Sequence, residues 1–322
     1  MDTSGADPAL PWAFRGTGRV SPVQISVVIP AYDEAESLPK LLARLVPVLE
    51  KVSDGHEVLV VDDGSRDGTA DVVDSLDLPG VRVLRQRVNR GKSPALRAGL
   101  SEVAGDVVVL MDADGQDDPA ELPGLLAALD DGMDLVTGRR AQRNDRRAKT
   151  LPSRLYNWTT ARVTGVEGRD FNSGYKAMRA DVARDLDLYG ELHRYIPVLA
   201  AWQGYRVGEV DVVHHPRAEG HSKFGAERFW RGMLDLVTVK FLTTYDARPF
   251  HLFGGMAAVS GLIGLGLMAW MLVLRITGEK VGDRPALLAG VLLVIVAVQL
   301  ASFGLLAELL VHLRHRSGGR AP

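Results

Sequence analysis

Cysteine is absent from the 322 residues, so disulfides and thiolate zinc sites are excluded, and the redox compartment is left open. An excess of either charge is missing too. With 38 Lys and Arg against 40 Asp and Glu, nothing argues for a nucleic-acid partner. Basic residues are instead local, in the run RRAQRNDRRAK at 139–149, scattered over 217–240 and in the C-terminal tail. Residues 1–22 contain no apolar run of signal-peptide length behind a basic start. Rich in Gly, Pro and Ala, they read as a flexible tail, and the polar region that follows is expected in the cytoplasm.

Long apolar runs are present only near the C-terminus. FGGMAAVSGLIGLGLMAWMLVL, 253–274, is uncharged and as a helix measures roughly 33 Å, the thickness of a bilayer core. A second run over 286–313 is interrupted by Gln299 and Glu308. Helices of a soluble core are rarely so apolar all round, so residues 251–322 read as a transmembrane hairpin with a short basic tail. The loop RITGEKVGDR nearly balances its charges, whereas Arg248, His251 and RHRSGGR flank the outside. The positive-inside tendency then places both termini in the cytoplasm. Between them and the polar region, GAERFWRGMLDLVTVKFLTTY repeats its apolar residues at helical spacing between cationic heads. Residues 225–250 therefore suit a juxtamembrane amphipathic helix in the headgroup plane, or one packed on the globular part.

Residues 23–224 alternate short β-branched runs with helical patterns: ISVVIPA, then EAESLPKLLARLVPVLEKV; HEVLVVDD, then GTADVVDSL; VRVLRQ, then SPALRAGLSEVA; and finally GDVVVLMDAD. This order predicts an α/β domain with a parallel sheet covered on both faces. Ligands in such sheets bind at the carboxyl ends of the strands, where the polar clusters fall. In VVDDGSRDGT, Asp62 and Asp63 end a strand; Gly, Ser and Asp here suit a capped turn, and paired carboxylates also suit a base N–H or ribose hydroxyl. In VVVLMDADGQDDP, Asp112 and Asp114 lie two apart and share one side of an extended chain. Their hard oxygens suit Mg2+ or Mn2+ bridged to a diphosphate. Asp117, Asp118 and Pro119 fit the start of a helix.

VVIPAYDEAESL, VVDDGSRDGT, NRGKSPALRAGL and MDADGQDDP, in this order, resemble inverting nucleotide-sugar transferases of the GT-A fold. The later GRR, RDFNSGYKAMR and PRAEGHSKFG narrow the likeness to polyprenyl-phosphate sugar synthases, such as dolichyl-phosphate mannose synthases and bactoprenyl-phosphate glucosyltransferases. The resemblance implies that Pro30, Ala31, Tyr32, Glu34, Asp62, Asp63 and Asp112 hold the nucleotide. By the same likeness Asp112, Asp114 and Gln116 form the metal and diphosphate site. Arg139, Arg169 and Ser173 match positions that hold the acceptor's lipid phosphate, with Asp114 and Arg139 central to catalysis. Arg217, Ser222 and Lys223 match a loop that closes over the donor diphosphate.

The implied reaction moves a hexose from a GDP- or UDP-sugar to polyprenyl phosphate at the membrane, with Mg2+ or Mn2+ and with a homo-oligomer as a possible assembly. A phosphate monoester is mostly dianionic at neutral pH and needs no general base. Two other readings compete: a processive polysaccharide synthase of the same fold, whose QxxRW segment is missing here, and an inactive scaffold or flippase partner. The latter has no physical need for the aspartate pair or the cationic residues.

Overall fold

The β-branched run at the start of the polar region forms β1 (Ile25–Ala31), and HEVLVVD forms β2 (His56–Asp62), buried throughout except at Pro30 in the first and His56 and Glu57 in the second. The computed structural model describes residues 25–140, 157–215, 235–236, 238–241, 244–245, 248–281 and 284–318. The expected tail at 1–22, the basic run beyond Arg140, the loop bearing Arg217, Ser222 and Lys223, and most of the expected juxtamembrane helix lie outside the described residues. The chain divides into two units, Met1–Val237 and Thr238–Pro322.

In the first unit the described residues form a seven-stranded sheet in the order β3-β2-β1-β4-β6-β5-β7. Its further strands are β3 (Val81–Arg85), β4 (Val107–Leu110), β5 (Leu135–Arg140), β6 (Lys176–Arg179) and β7 (Val207–Val212). Strands β3, β2, β1 and β4 are mutually parallel, in a register that brings Ala31 beside Asp62 and Val28 beside Leu110. Expectation and structure differ at β6, which runs antiparallel to both β4 and β5. The wholly parallel sheet is therefore a mixed one. KAMR, four residues without an apolar run, gave no periodic signal for a strand.

Helix α1 (Leu38–Val52) buries Leu38, Leu41, Leu42, Leu45 and Leu49, an i, i+3, i+4, i+7 stripe, into one core with Ile25, Val27 and Ile29 of β1. Helix α4 (Leu122–Asp130) adds Leu122, Leu125, Leu126 and Leu129 to that core. Between them in sequence lie α2 (Thr69–Ser75) and α3 (Lys92–Leu100). Helix α3 packs on β1 and β2 at the opposite face, where a Cβ on Gly99 would meet Val28 and Val61. Beyond β6, the chain forms α5 (Ala180–Asp185), a 3-10 turn at Leu192–Tyr195 and α6 (Ile196–Trp202).

The second unit contains α7 (Pro249–Ile276) and α8 (Pro285–Gly318), which pack together as a hairpin. Each is long and apolar enough to cross a membrane, and most of its side chains are exposed. Small residues permit the close approach: a Cβ on Gly264 would collide with the Gly290 carbonyl, and Ser260 Oγ donates to the Leu293 carbonyl at 2.9 Å. Glu308 interrupts the second apolar run for a local reason. Its Oε2 accepts the Phe250 N–H at 3.3 Å in the first turn of α7, where unpaired amides and the helix dipole favour an anion.

Candidate active site

The carboxyl ends of β1, β2 and β4 open into a cavity of about 370 Å3. Pro30, Ala31, Tyr32, Glu34, Asp63, Asp112, Asp114, Gln116 and Ser173 of the sequence-derived set line it. Asp62 does not; it is 7% exposed and its Oδ1 accepts the Ser65 N–H at 3.0 Å, bracing the turn after β2. Asp63 faces the cavity while its two oxygens accept the Arg90 and Gly91 amides at 2.9 and 2.8 Å. The loops that follow β1 and β2 are themselves joined. The Glu34 amide donates to Thr69 Oγ1 at 2.9 Å, and Asp33 Oδ1 accepts the Arg66 amide at 2.8 Å.

Asp112 follows β4 and pairs through Oδ1 with the Lys92 ammonium at the start of α3. Burial acts to raise its pKa, but the Lys92 charge and hydrogen bond, with help from Lys176, outweigh that and leave it lowered. Gly174 makes the room: a Cβ there would collide with the Asp112 carboxylate. Asp114 Oδ1 accepts the Gln116 amide at 3.1 Å. Among the described residues no three His, Asp or Glu side chains enclose a metal-sized space. That open donor set fits a hard cation held by one or two carboxylates and completed by water and phosphate oxygens.

Asp117 departs from the expected purely capping role. It is 3% exposed, lines the cavity and meets His214 Nδ1 at 3.3 Å. Burial and the Asp112 and Asp114 charges raise its pKa despite that hydrogen bond. Asp118 does cap the 3-10 turn Pro119–Glu121, accepting the Ala120 amide at 3.1 Å, and also meets His215 Nε2 at 2.8 Å. With Gln116 Nε2 donating to the His215 carbonyl at 3.1 Å and the His215 amide to the Gln116 carbonyl at 2.8 Å, the aspartate loop is stitched to the segment after β7.

The structure places both expected arginines outside the described lining of the cavity. Arg139 does not line the cavity; its guanidinium pairs with Asp211 of β7, whose carboxylate stays more acidic as a result. Adjacent strand residues point to opposite faces, so it is Arg140 that enters the cavity wall. Arg140 holds Asp170, 4% exposed, through Nε at 2.6 Å and Nη2 at 2.7 Å. Arg169 is also outside the lining: its side chain is exposed, its amide donates to Glu209 Oε1 at 2.7 Å and its carbonyl accepts from Asn157.

Sequence reasoning assigned no role to Lys92, Lys176, His193 and Arg194, all in the lining. Lys92 sits inside NRGKSPALRAGL and Lys176 inside RDFNSGYKAMR; a helix start and a strand start bring their side chains to one place. His193 and Arg194 come from the 3-10 turn, which carries no periodic pattern. The His193 amide donates to Ser93 Oγ at 3.1 Å, and His193 Nδ1 lies 2.9 Å from the same hydroxyl. The Ser93 hydroxyl thus ties both the backbone and the ring of His193 to the first turn of α3. Burial and the Lys92 and Arg194 charges push the ring's pKa down to about 2, so it is neutral.

Residues 26–187 match the model of glycosyl transferase family 2. The chain is 34% identical over 319 residues to dodecaprenyl-phosphate galacturonate synthase of Rhizobium johnstonii, covering 94% of this chain and 92% of that one. It is 36% identical over 291 residues to undecaprenyl-phosphate 4-deoxy-4-formamido-L-arabinose transferase of Pseudomonas aeruginosa, covering 89% and 84%. Among solved structures, glucosyl-3-phosphoglycerate synthase of Mycobacterium tuberculosis, in complex with Mn2+ and UDP-glucose, shares the GT-A fold. It has a TM-score of 0.54 at 22% identity, over 69% of this chain and 79% of that one. A mixed GT-A sheet with its cavity at the strand ends, a match to the family model over half the chain and full-length relatives above 30% identity lead to one conclusion: the chain belongs to glycosyl transferase family 2.

Proposed function

We propose that the protein transfers a sugar from a nucleoside-diphosphate donor to polyprenyl phosphate, with inversion at the anomeric carbon. The observation that carries this reading is the cavity itself, whose lining carries an acidic wall (Asp63, Asp112, Asp114) and, beside it, a cationic one (Arg140, Lys176, Arg194). A nucleoside diphosphate with its cation suits the first, and a phosphate monoester suits the second. The named relatives transfer galacturonate or 4-deoxy-4-formamido-L-arabinose to polyprenyl phosphates, and α7 and α8 give this chain a membrane anchor for such an acceptor.

Pro30, Ala31, Tyr32, Glu34 and Asp63 border the nucleoside, and Asp112, Asp114 and Gln116 the diphosphate. Mg2+ or Mn2+ held by Asp112 and Asp114 supplies electrostatic stabilisation of the leaving diphosphate; the fold neighbour is described with Mn2+ and UDP-glucose. Arg140 and Ser173 orient the acceptor phosphate. One of its oxygens forms the new bond to the anomeric carbon as the bond to the diphosphate oxygen breaks, and the nucleoside diphosphate departs with the electron pair. No proton has to move, so positioning and charge placement dominate. Arg217, Ser222 and Lys223, outside the described residues, complete the diphosphate contacts in this proposal. The catalytic unit and both termini face the cytoplasm, where nucleotide sugars are made.

The test is a panel of GDP- and UDP-sugars, uronic acid and amino-sugar donors included, against polyprenyl phosphate with Mg2+ or Mn2+, read as glycolipid. Product with one donor class is expected. No product from any donor overturns the acceptor assignment.

A further inference from the structure

Beyond β4 the chain leaves the sheet, and the turn that carries Asp114 and Gln116 is braced from distant parts of the sequence. Asp117 forms an isolated antiparallel bridge with His214, just past β7. The His215 amide donates to the Gln116 carbonyl at 2.8 Å, and Gln116 Nε2 returns a bond to the His215 carbonyl at 3.1 Å. Asp118 fastens the bridge at its end. Its Oδ2 accepts from His215 Nε2 at 2.8 Å, while Oδ1 accepts from Arg44 of α1 at 2.8 Å and from the Ala120 amide at 3.1 Å.

This bonding decides which end of the Gln116 amide is offered to a ligand. A carbonyl can only accept, so the NH2 end is turned to His215, and Oε1 is left to the cavity that Gln116 lines. An oxygen suits a hard cation, and an NH2 group does not. We infer that His215 is a positioning residue for the donor's cation: held by Asp118, it fixes Gln116 with its oxygen toward that cation and touches neither cation nor nucleotide itself. This rests on the proposed metal and diphosphate site at Asp112, Asp114 and Gln116. His215 is outside the cavity lining, and its side chain is 43% exposed against 22% for Asp118. So exposed a pair contributes little to stability, whereas a group that orients a metal ligand changes affinity by about tenfold or more. Removing the imidazole also strands no charge, because Arg44 and the Ala120 amide still hold Asp118.

The test is calorimetric binding of UDP and of GDP to the full chain in detergent micelles, with and without Mn2+, continued with whichever nucleotide wild type prefers. His215→Ala is expected to weaken Mn2+-dependent binding about tenfold and to leave metal-free binding and the thermal midpoint close to wild type. His215→Gln, whose amide nitrogen can replace Nε2 toward Asp118, binds within about threefold of wild type. Gln116→Ala weakens the same binding by itself, and His215→Ala adds nothing in that background, because a residue that acts through another is not additive with it. His215→Asn, too short to reach Asp118, takes the place of His215→Ala should that variant fail to fold.

Unchanged Mn2+-dependent binding in His215→Ala overturns the inference. So does an equal loss without Mn2+, which assigns His215 to the nucleotide, and so do losses that add in the double variant, which make the two residues independent. His215→Gln as weak as His215→Ala overturns it as well, because the bond to Asp118 is then not what matters. Each of these results leaves the proposed transfer standing where glycolipid is still made. Wild type that binds neither nucleotide more tightly with Mn2+ overturns the proposed metal site and the inference with it. Coupled His215 and Gln116 in a protein that makes no glycolipid supports the inference and overturns the transfer alone.

Discussion

The two walls of the cavity are built differently. On the acidic wall, the ends of parallel β1, β2 and β4 lie side by side, and the carboxylates there already have partners: Asp63 two backbone amides, Asp112 the Lys92 ammonium. On the cationic wall, at the end of β5, the start of antiparallel β6 and a 3-10 turn, the Lys176 ammonium donates to the Ser173 carbonyl and Arg194 pairs with Glu191, while Ser173 Oγ and Arg194 Nε lack a hydrogen-bond partner among the described residues. Both walls are thus braced within the protein, the acidic one by amides and a lysine, the cationic one by carboxylates and a carbonyl. In the proposed transfer, fixed dipoles and charges at the strand ends suit a leaving group whose charge develops during reaction, while the cations suit an anion recruited from elsewhere.

Asp114→Ala breaks the acidic wall at its most consequential point. Glycolipid formation should fall by about two to three orders of magnitude. Stability should hold, because the substitution removes one of the charges that raise the Asp117 pKa. Retained activity in a folded variant would show that the wall is only scaffolding.

Arg140→Ala tests the boundary between the walls. It removes both side-chain donors that Arg140 gives the Asp170 carboxylate, 4% exposed, which should cost about 3 to 5 kcal/mol and lower transfer about a hundredfold. Adding Asp170→Ala should return most of the stability and none of the activity, as read by thermal melts beside initial rates. Arg139→Ala is the control one residue away. Its pair with Asp211 is solvent-exposed, and the rate should stay within about twofold.

That contrast also marks what the sequence made legible. The parallel half of the sheet and the polar clusters at its strand ends follow from runs such as ISVVIPA and HEVLVVD, since burial on both faces demands continuous apolar residues. Asp112 and Asp114 follow from their spacing after VVVL. In GRR the residue type was evident and the facing was not, because which of two adjacent arginines enters the cavity depends on strand phase, set by pairing with β6 and β7. His193 and Arg194 had no local signature at all, and Lys176 lay inside RDFNSGYKAMR with no role assigned. Their elements are short, and only the antiparallel insertion of β6 beside β4 brings them against Asp112.

The smallest effect concerns His193, and it asks whether the cationic wall is as dry and crowded as its orphaned donors imply. A ring with a folded pKa near 2 and an unfolded value near 6.5 binds fewer protons folded than unfolded between those limits. Its contribution to stability is therefore complete above about pH 6.5 and is lost as pH falls, by up to about 1.4 kcal/mol per pH unit. His193→Gln keeps a polar side chain and cannot titrate, so its thermal midpoint should decline less than that of wild type between pH 7.5 and 5.5. Ser93→Ala removes the hydroxyl hydrogen-bonded to Nδ1 while leaving Lys92 and Arg194 in place. The acid-sensitive slope should persist in that variant, because burial and charge set it rather than the hydrogen bond. If His193→Gln declines as steeply as wild type, the ring is already hydrated, and the two walls differ in charge alone.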